Sequence, residues 1–198
     1  MVRRKLQNSS PAKQSISTEE GLAAAEEVFK QARLSKVDCA LCGGLAMHVF
    51  GFTRATVDVD FVAARTLPLS PTKKLQIGGE SYQLAVGGKK VTVDWIVRDD
   101  ERKDVYQAAL KDADSTEVGL PIITPEWMVI LKYLAGRGKD QIDLLWLLRE
   151  EGLVDRERTR QHIRDLFGRF AYWPLADLES IFLEADLMRA RDENGKKE

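Results

Sequence analysis

The chain has few of the residues that build several common kinds of site. Among 198 residues there are two cysteines and two histidines. That is too few cysteines for a disulfide scaffold, and too few clustered ligands for a structural zinc site. Cys39 and Cys42 form a C-x-x-C inside an apolar segment, and they read as core thiols. His48 and His162 stand alone, and His48 reads as a helix residue with a packing or surface role. The formal net charge is −1, which removes any global electrostatic case for nucleic-acid binding. No run is long and apolar enough to span a bilayer. Arg3, Arg4 and Lys5 are followed by polar residues rather than an apolar segment, unlike a secretory leader, so the expected compartment is the cytoplasm. With 44% hydrophobic residues, the chain can bury a sizeable core.

What is present is ordered along the chain. Residues 1–16 are polar and read as a flexible tail. Ser17 with Glu20 forms a capping box opening a helix over 18–34, with Leu22, Ala25, Val28, Phe29 and Ala32 on one stripe. A buried strand is expected over 37–41 and a short helix over 45–50, closed by Gly51. A second strand follows over 56–63. Segments 82–86 and 90–97 flank Gly87-Gly88 and read as a hairpin. In its second strand, Val91, Val93, Trp95 and Val97 face one side, and Thr92, Asp94 and Ile96 the other. A helix over 101–112 and a strand over 118–123 come next. Thr124-Pro125-Glu126 opens a helix that stops at Gly136. Three further helices are expected: 139–150, with Ile142, Leu145, Trp146 and Leu148 inward, then 155–167 and 174–189. The expected organisation is a tail (1–16), a mixed α/β core (17–123), a helical region (124–190) and a charged tail (191–198).

Chemistry concentrates in three acids and two glycines. Asp58 and Asp60 sit on alternate positions of a β-branched run, so their carboxylates point the same way, roughly 6–7 Å apart. Asp94 lies in a later apolar strand. If that strand pairs beside the first, three carboxylates can surround one or two cations. Oxygen-only ligands favour magnesium or manganese, in the manner of metal-assisted phosphoryl transfer. Gly43-Gly44 lies between a strand and a helix, where bare backbone can approach a phosphate closely.

Gly43-Gly44, thirteen intervening residues, Asp58-Val-Asp60 and then Asp94 together resemble the DNA polymerase β-type nucleotidyltransferase superfamily. The segment from Gly43 to Asp60, and Lys132-Tyr-Leu-Ala-Gly-Arg137-Gly-Lys139-Asp140-Gln-Ile-Asp143-Leu, are similar to the AbiEii-type toxin branch. The resemblance spans residues 37–148. It implies an α+β fold, a small mixed sheet flanked by helices and followed by a C-terminal helical bundle. It further implies transfer of an NMP from an NTP to a hydroxyl acceptor with Mg2+ or Mn2+. By resemblance, Asp58 and Asp60 bind both metals, and Asp94 binds the metal that activates the acceptor and serves as base. Gly43 and Gly44 hold phosphates, and Lys132 neutralises the triphosphate. Arg54 touches phosphate or braces its loop, and Asp140 and Asp143 complete the nucleotide site, Asp140 orienting Lys132 or the nucleotide. One departure is that many members carry Ser where this chain has Gly44, which leaves only backbone donors there. The implied acceptor is tRNA or a protein, and the implied partner an antitoxin.

Simpler readings stand beside these. Asp58 and Asp60 fit the solvent face of a half-exposed strand, Asp94 an edge-strand gatekeeper, and Lys132 a surface helix charge. Asp140 and Asp143 fit a helix first turn, where acids stabilise anyway. Arg156, Arg158, Arg160, Arg164 and Arg169 read as solvated helix faces, with RNA binding a minority reading. Trp127 and Trp146 read as core. Two rival functions stay open: a small-molecule nucleotidyltransferase of the antibiotic-resistance type, and a non-catalytic NTP- or partner-binding module.

Overall fold

The computed structural model describes residues 15–195. Most of the expected N-terminal tail, and residues 196–198, lie outside the described residues. Ile16 lies within them and bridges to Thr56, its amide donating to the Thr56 carbonyl at 2.9 Å.

Helix α1 (Thr18–Leu34) begins at the expected capping box: the Ser17 hydroxyl accepts from the Glu20 amide, and the Glu20 carboxylate accepts from the Ser17 amide. Strand β1 (Cys39–Cys42) leads directly into α2 (Gly43–Val49). Strand β2 (Asp58–Ala63) is followed by a short edge strand β3 (Lys73–Lys74) and the hairpin β4 (Gly79–Val86) and β5 (Lys89–Ile96). Gly87 and Gly88 both have positive φ (56° and 80°), which a two-residue hairpin loop with strand-matched twist requires. Helix α3 (Lys103–Lys111), β6 (Asp114–Ser115) and β7 (Pro121–Ile122) complete the mixed part.

The seven strands form one mixed sheet in the order β3-β4-β5-β2-β1-β7-β6. β2 runs antiparallel to β1 and parallel to β5. Asp94 is therefore on an interior strand, which removes the gatekeeper reading. The inward face of β5 follows the sequence pattern: Val91, Val93 and Trp95 are fully buried, and Trp95 packs on Phe61 with ring centroids 5.3 Å apart. Each such side chain contributes roughly 1.5–3 kcal/mol through burial. Cys39 and Cys42 are buried free thiols, and burial pushes Cys39 up to about 12, so neither is a ready nucleophile.

Helix α4 (Pro125–Ala135) has Thr124 at its N-cap and Gly136 in the left-handed conformation (φ 64°) at its end, as the sequence signals require. Helices α5 (Gly138–Arg149), α6 (Arg156–Phe167) and α7 (Tyr172–Gly195) follow, with a 3-10 turn at Gly168–Phe170 before α7. α4 packs on α5 and α6, and α7 covers α5 and α6. Among the described residues, no helix is long and apolar enough to cross a membrane.

Three expectations are corrected. The strand over 118–123 shrinks to Pro121–Ile122, because Gly119 donates back to Thr116 and closes a turn that leaves Val118 exposed. The helical pattern of α5 is rotated: Ile142 is 61% exposed, while Asp140 and Asp143 have no exposed surface. Residues 191–195 continue α7 rather than starting a separate tail.

Candidate active site

The parallel pairing of β2 with β5 places Asp60 directly beside Asp94, and Asp58 one pleat along beside Thr92. All three aspartates line one cavity of about 180 Å3, together with Gly43, Gly44 and Lys132. Asp60 sits at the junction of β1 and α2, opposite Cys42. Its carboxyl is pushed up to about 7, first by removal from water and then by the charges of Asp58 and Asp94; Lys132 and Lys139 pull the other way. Asp94 accepts a short hydrogen bond from the Ser81 hydroxyl, which is wholly buried on β4 opposite it. Among the described residues, no group of three His, Cys, Asp or Glu stands close enough together to hold a metal ion.

Gly43 is required by the acid beside it. Its φ is +66°, and a Cβ there would lie 1.9 Å from an Asp60 carboxylate oxygen. At Gly44 a Cβ would lie 2.5 Å from the Thr56 hydroxyl oxygen. Thr56 occupies the space that a serine at position 44 would need. Its hydroxyl, which donates to the Asp58 carbonyl at 3.1 Å, lines the same cavity. Thr56, two residues before β2, thus fills the place beside Gly44.

The opposite wall is helical. Lys132 on α4 is buried and donates to Asp140 at 3.0 Å and Asp143 at 2.5 Å. Asp143 also accepts two bonds from Arg54, at 2.6 and 2.7 Å, and Asp140 is gripped by Arg137. Burial alone raises the Asp140 carboxyl, but Arg137 and Lys132 outweigh it, and the group is held below the ordinary carboxylate range. Asp143 has no exposed surface and does not line the cavity; both oxygens of Asp140 are occupied by cations. These acids hold Lys132, Arg54 and Arg137 in place, and Asp140 itself lines the cavity. Arg54 braces its loop. His48 does the same from behind: its Nε2–H donates to the Arg54 carbonyl, and its Nδ1 pairs with the Thr18 hydroxyl at 2.9 Å.

Four cavity-lining or supporting residues carried no assigned role in the sequence: Ser81, Thr56, Arg137 and Lys139. Arg137 and Lys139 were legible as the cationic positions of Arg-x-Lys. Ser81 carried no local signal, because only strand register brings it to Asp94. The arginines of α6 are largely paired: Arg156 with Asp186, Arg160 with Glu179, and Arg164 with Glu157. Trp127 is core and stacks on His162 with centroids 4.4 Å apart, and Trp146 is half-buried against Phe52.

A mixed sheet with two acid-bearing strands side by side, capped by helices that supply cations, is a nucleotidyltransferase-like α+β fold. A solved structure, that of an antigenic nucleotidyltransferase-like protein from Paracoccidioides brasiliensis, is similar with a TM-score of 0.51, at 15% identity, over 85% of this chain and 94% of that one. At that identity the likeness carries the fold. No family model and no curated protein matches the chain.

Proposed function

We propose that the chain is a metal-dependent nucleotidyltransferase that moves an NMP from an NTP to a hydroxyl acceptor. The observation that supports this most strongly is the meeting of opposite walls across one cavity. Three carboxylates on neighbouring strands leave Asp60 electrostatically strained, and an organised cation cluster faces them. The three acids offer oxygen donors, and the neighbouring Cys42 thiol is held protonated by burial, which fits magnesium or manganese. Asp58, Asp60 and Asp94 are the residues that would hold the ion, and the ion would neutralise charge developing on the phosphate.

The protein's own groups account for the rest. The acceptor oxygen forms a bond to the α-phosphorus while the bond to the β-phosphate oxygen breaks, and pyrophosphate leaves. Asp94 takes the acceptor proton, held in orientation by Ser81. Gly43 and Gly44 let phosphate approach the backbone. Lys132, kept in place by Asp140 and Asp143, and the nearby Arg137 and Lys139 balance the triphosphate charge. The acceptor class carried over from the AbiEii-type resemblance is RNA or protein, consistent with a toxin of a toxin–antitoxin or phage-defence pair.

The test is label transfer. Purified protein, magnesium and each α-labelled NTP are incubated with total RNA or without it, beside Asp58→Ala. Label on RNA or on the protein, lost in Asp58→Ala, supports the reading. Label that survives in Asp58→Ala sinks the site assignment. No label with any NTP, together with no magnesium-dependent NTP binding, overturns the enzyme reading.

A further inference from the structure

Helix α7 is apolar on two faces. One face, with Leu178, Phe182 and Ala185, is buried against the bundle. On the opposite face, Trp173, Ala176, Ser180, Leu183, Leu187 and Ala190 recur at spacings of three and four and are all exposed. Trp173 is 73% exposed, Leu183 61% and Leu187 53%. The stripe runs ~27 Å at 1.5 Å per residue. A helix with one core face ordinarily turns polar residues to water on the other. Three-four spacing is also the pattern by which paired helices meet.

We propose that this stripe joins two copies of the chain, α7 lying antiparallel on α7 about a two-fold axis. The order of large and small residues selects that occupant. With the axis between positions 181 and 182, Trp173 of one copy meets Ala190 of the other, Ala176 meets Leu187, and Ser180 meets Leu183. Every layer sets a large side chain against a small one, so the gap between helices stays even. A parallel, in-register pair would set Trp173 on Trp173 and Ala176 on Ala176, which alternates collision with void. The interface is self-complementary, as a two-fold contact must be.

The two borders of the seam differ in charge. Glu179 and Asp186 flank one side, and each is neutralised in its own chain, by Arg160 at 2.6 Å and Arg156 at 2.7 Å. Asp177 and Glu184 flank the other side, where a second copy brings acid towards acid. That repulsion is screened by salt, so the dimer tightens as ionic strength rises. A basic helix from a different protein would show the opposite dependence. The proposal is independent of the catalytic reading, since α7 contributes no residue that lines the cavity.

Sedimentation equilibrium of the full chain, from low to high micromolar, tests it. The expected result is a reversible monomer–dimer equilibrium that tightens with salt. Leu183→Glu, and separately Leu187→Gln, should weaken it at least about tenfold. Neither should change the circular dichroism spectrum or lower the melting temperature of the monomer, because both side chains face water there. An equimolar mixture of Ser180→Cys and Leu183→Cys chains should join on mild oxidation in preference to like chains, and the native thiols, both buried, stay out of the reaction. A monomer at every concentration, an undiminished dimer in both stripe variants, or equal joining of like chains overturns the proposal.

Discussion

Asp60 and Asp140 are the same residue type, placed on opposite walls of one cavity, and their carboxyls are driven in opposite directions. Asp60 on β2 is half-buried, lines the cavity beside two more acids, and rises to about 7. Asp140 on α5 has no exposed surface at all, yet is held low by Arg137 and Lys132. Burial penalises both charges equally in kind; the neighbours decide the outcome. On the sheet wall, removal from water and the neighbouring acids together raise Asp60 more than Lys132 and Lys139 lower it. The helical wall is already satisfied and serves as a rigid cationic surface. On the nucleotidyltransferase reading proposed above, one wall would attract a metal and the other a polyphosphate.

The comparison is most vulnerable at Asp143, which holds both Lys132 and Arg54. Asp143→Ala leaves two cations short of a partner beside the core, and should cost about 3–5 kcal/mol in urea unfolding, the cost of breaking a buried pair. A loss under about 1 kcal/mol would mean that the helical wall behaves like an ordinary surface ion pair.

The next effect separates the walls by pH. The folded Asp60 carboxyl binds its proton more tightly than the unfolded one, so the metal-free protein should lose stability as pH rises from 3.8 to about 7 and level off above. Asp140 has the reverse sign: its contribution is present above the ordinary carboxylate range and is lost as pH falls through its depressed value. Asp60→Asn should abolish the first slope. At pH 8 without metal, it should be more stable than the parent by on the order of 2 kcal/mol. Magnesium or manganese should raise the parent's melting temperature at that pH and leave the variant's unchanged. If the slope persists in Asp60→Asn, the strain does not reside on the sheet wall.

The smallest effect sharpens the sheet wall itself. Ser81→Ala removes the hydroxyl that orients Asp94 and should cost about 1 kcal/mol of stability. If the transferase reading holds, turnover should fall about tenfold at an unchanged KM for NTP, because the hydrogen bond orients the base rather than the nucleotide. An unaltered rate and pH profile would reduce Ser81 to a packing residue.

The two walls also differ in how openly the sequence declares them. The sheet wall follows from short-range rules. Period-two alternation aligns Asp58 with Asp60 and separates Asp94 from the buried Val93 and Trp95, and a glycine pair with positive φ ends the hairpin that carries Asp94. The helical wall defeats polarity-based reading. Ile142 was expected among the apolar positions and is exposed, while Asp140 and Asp143 are buried against Lys132, and Asp143 also against Arg54, 89 positions away. No helical periodicity encodes a partner that distant. Ser81 and Thr56 were silent for the same reason: their roles come from strand register and from what stands opposite Gly44.

By itself, the sequence determined the caps of α1 and α4, the hairpin turn, the alternating faces of β2 and β5, and the motif spacing that marks Gly43, Gly44, Asp58, Asp60, Asp94 and Lys132. These depend on backbone geometry within a few residues, which side-chain chemistry dictates directly. Only the tertiary structure decided that β5 lies parallel beside β2, setting Asp94 against Asp60, and that Lys132 is clamped by two buried acids. It also decided that the second glycine is needed to clear Thr56. Each of these is a meeting of segments distant in sequence, selected by the packing energy of the whole core rather than by any local preference.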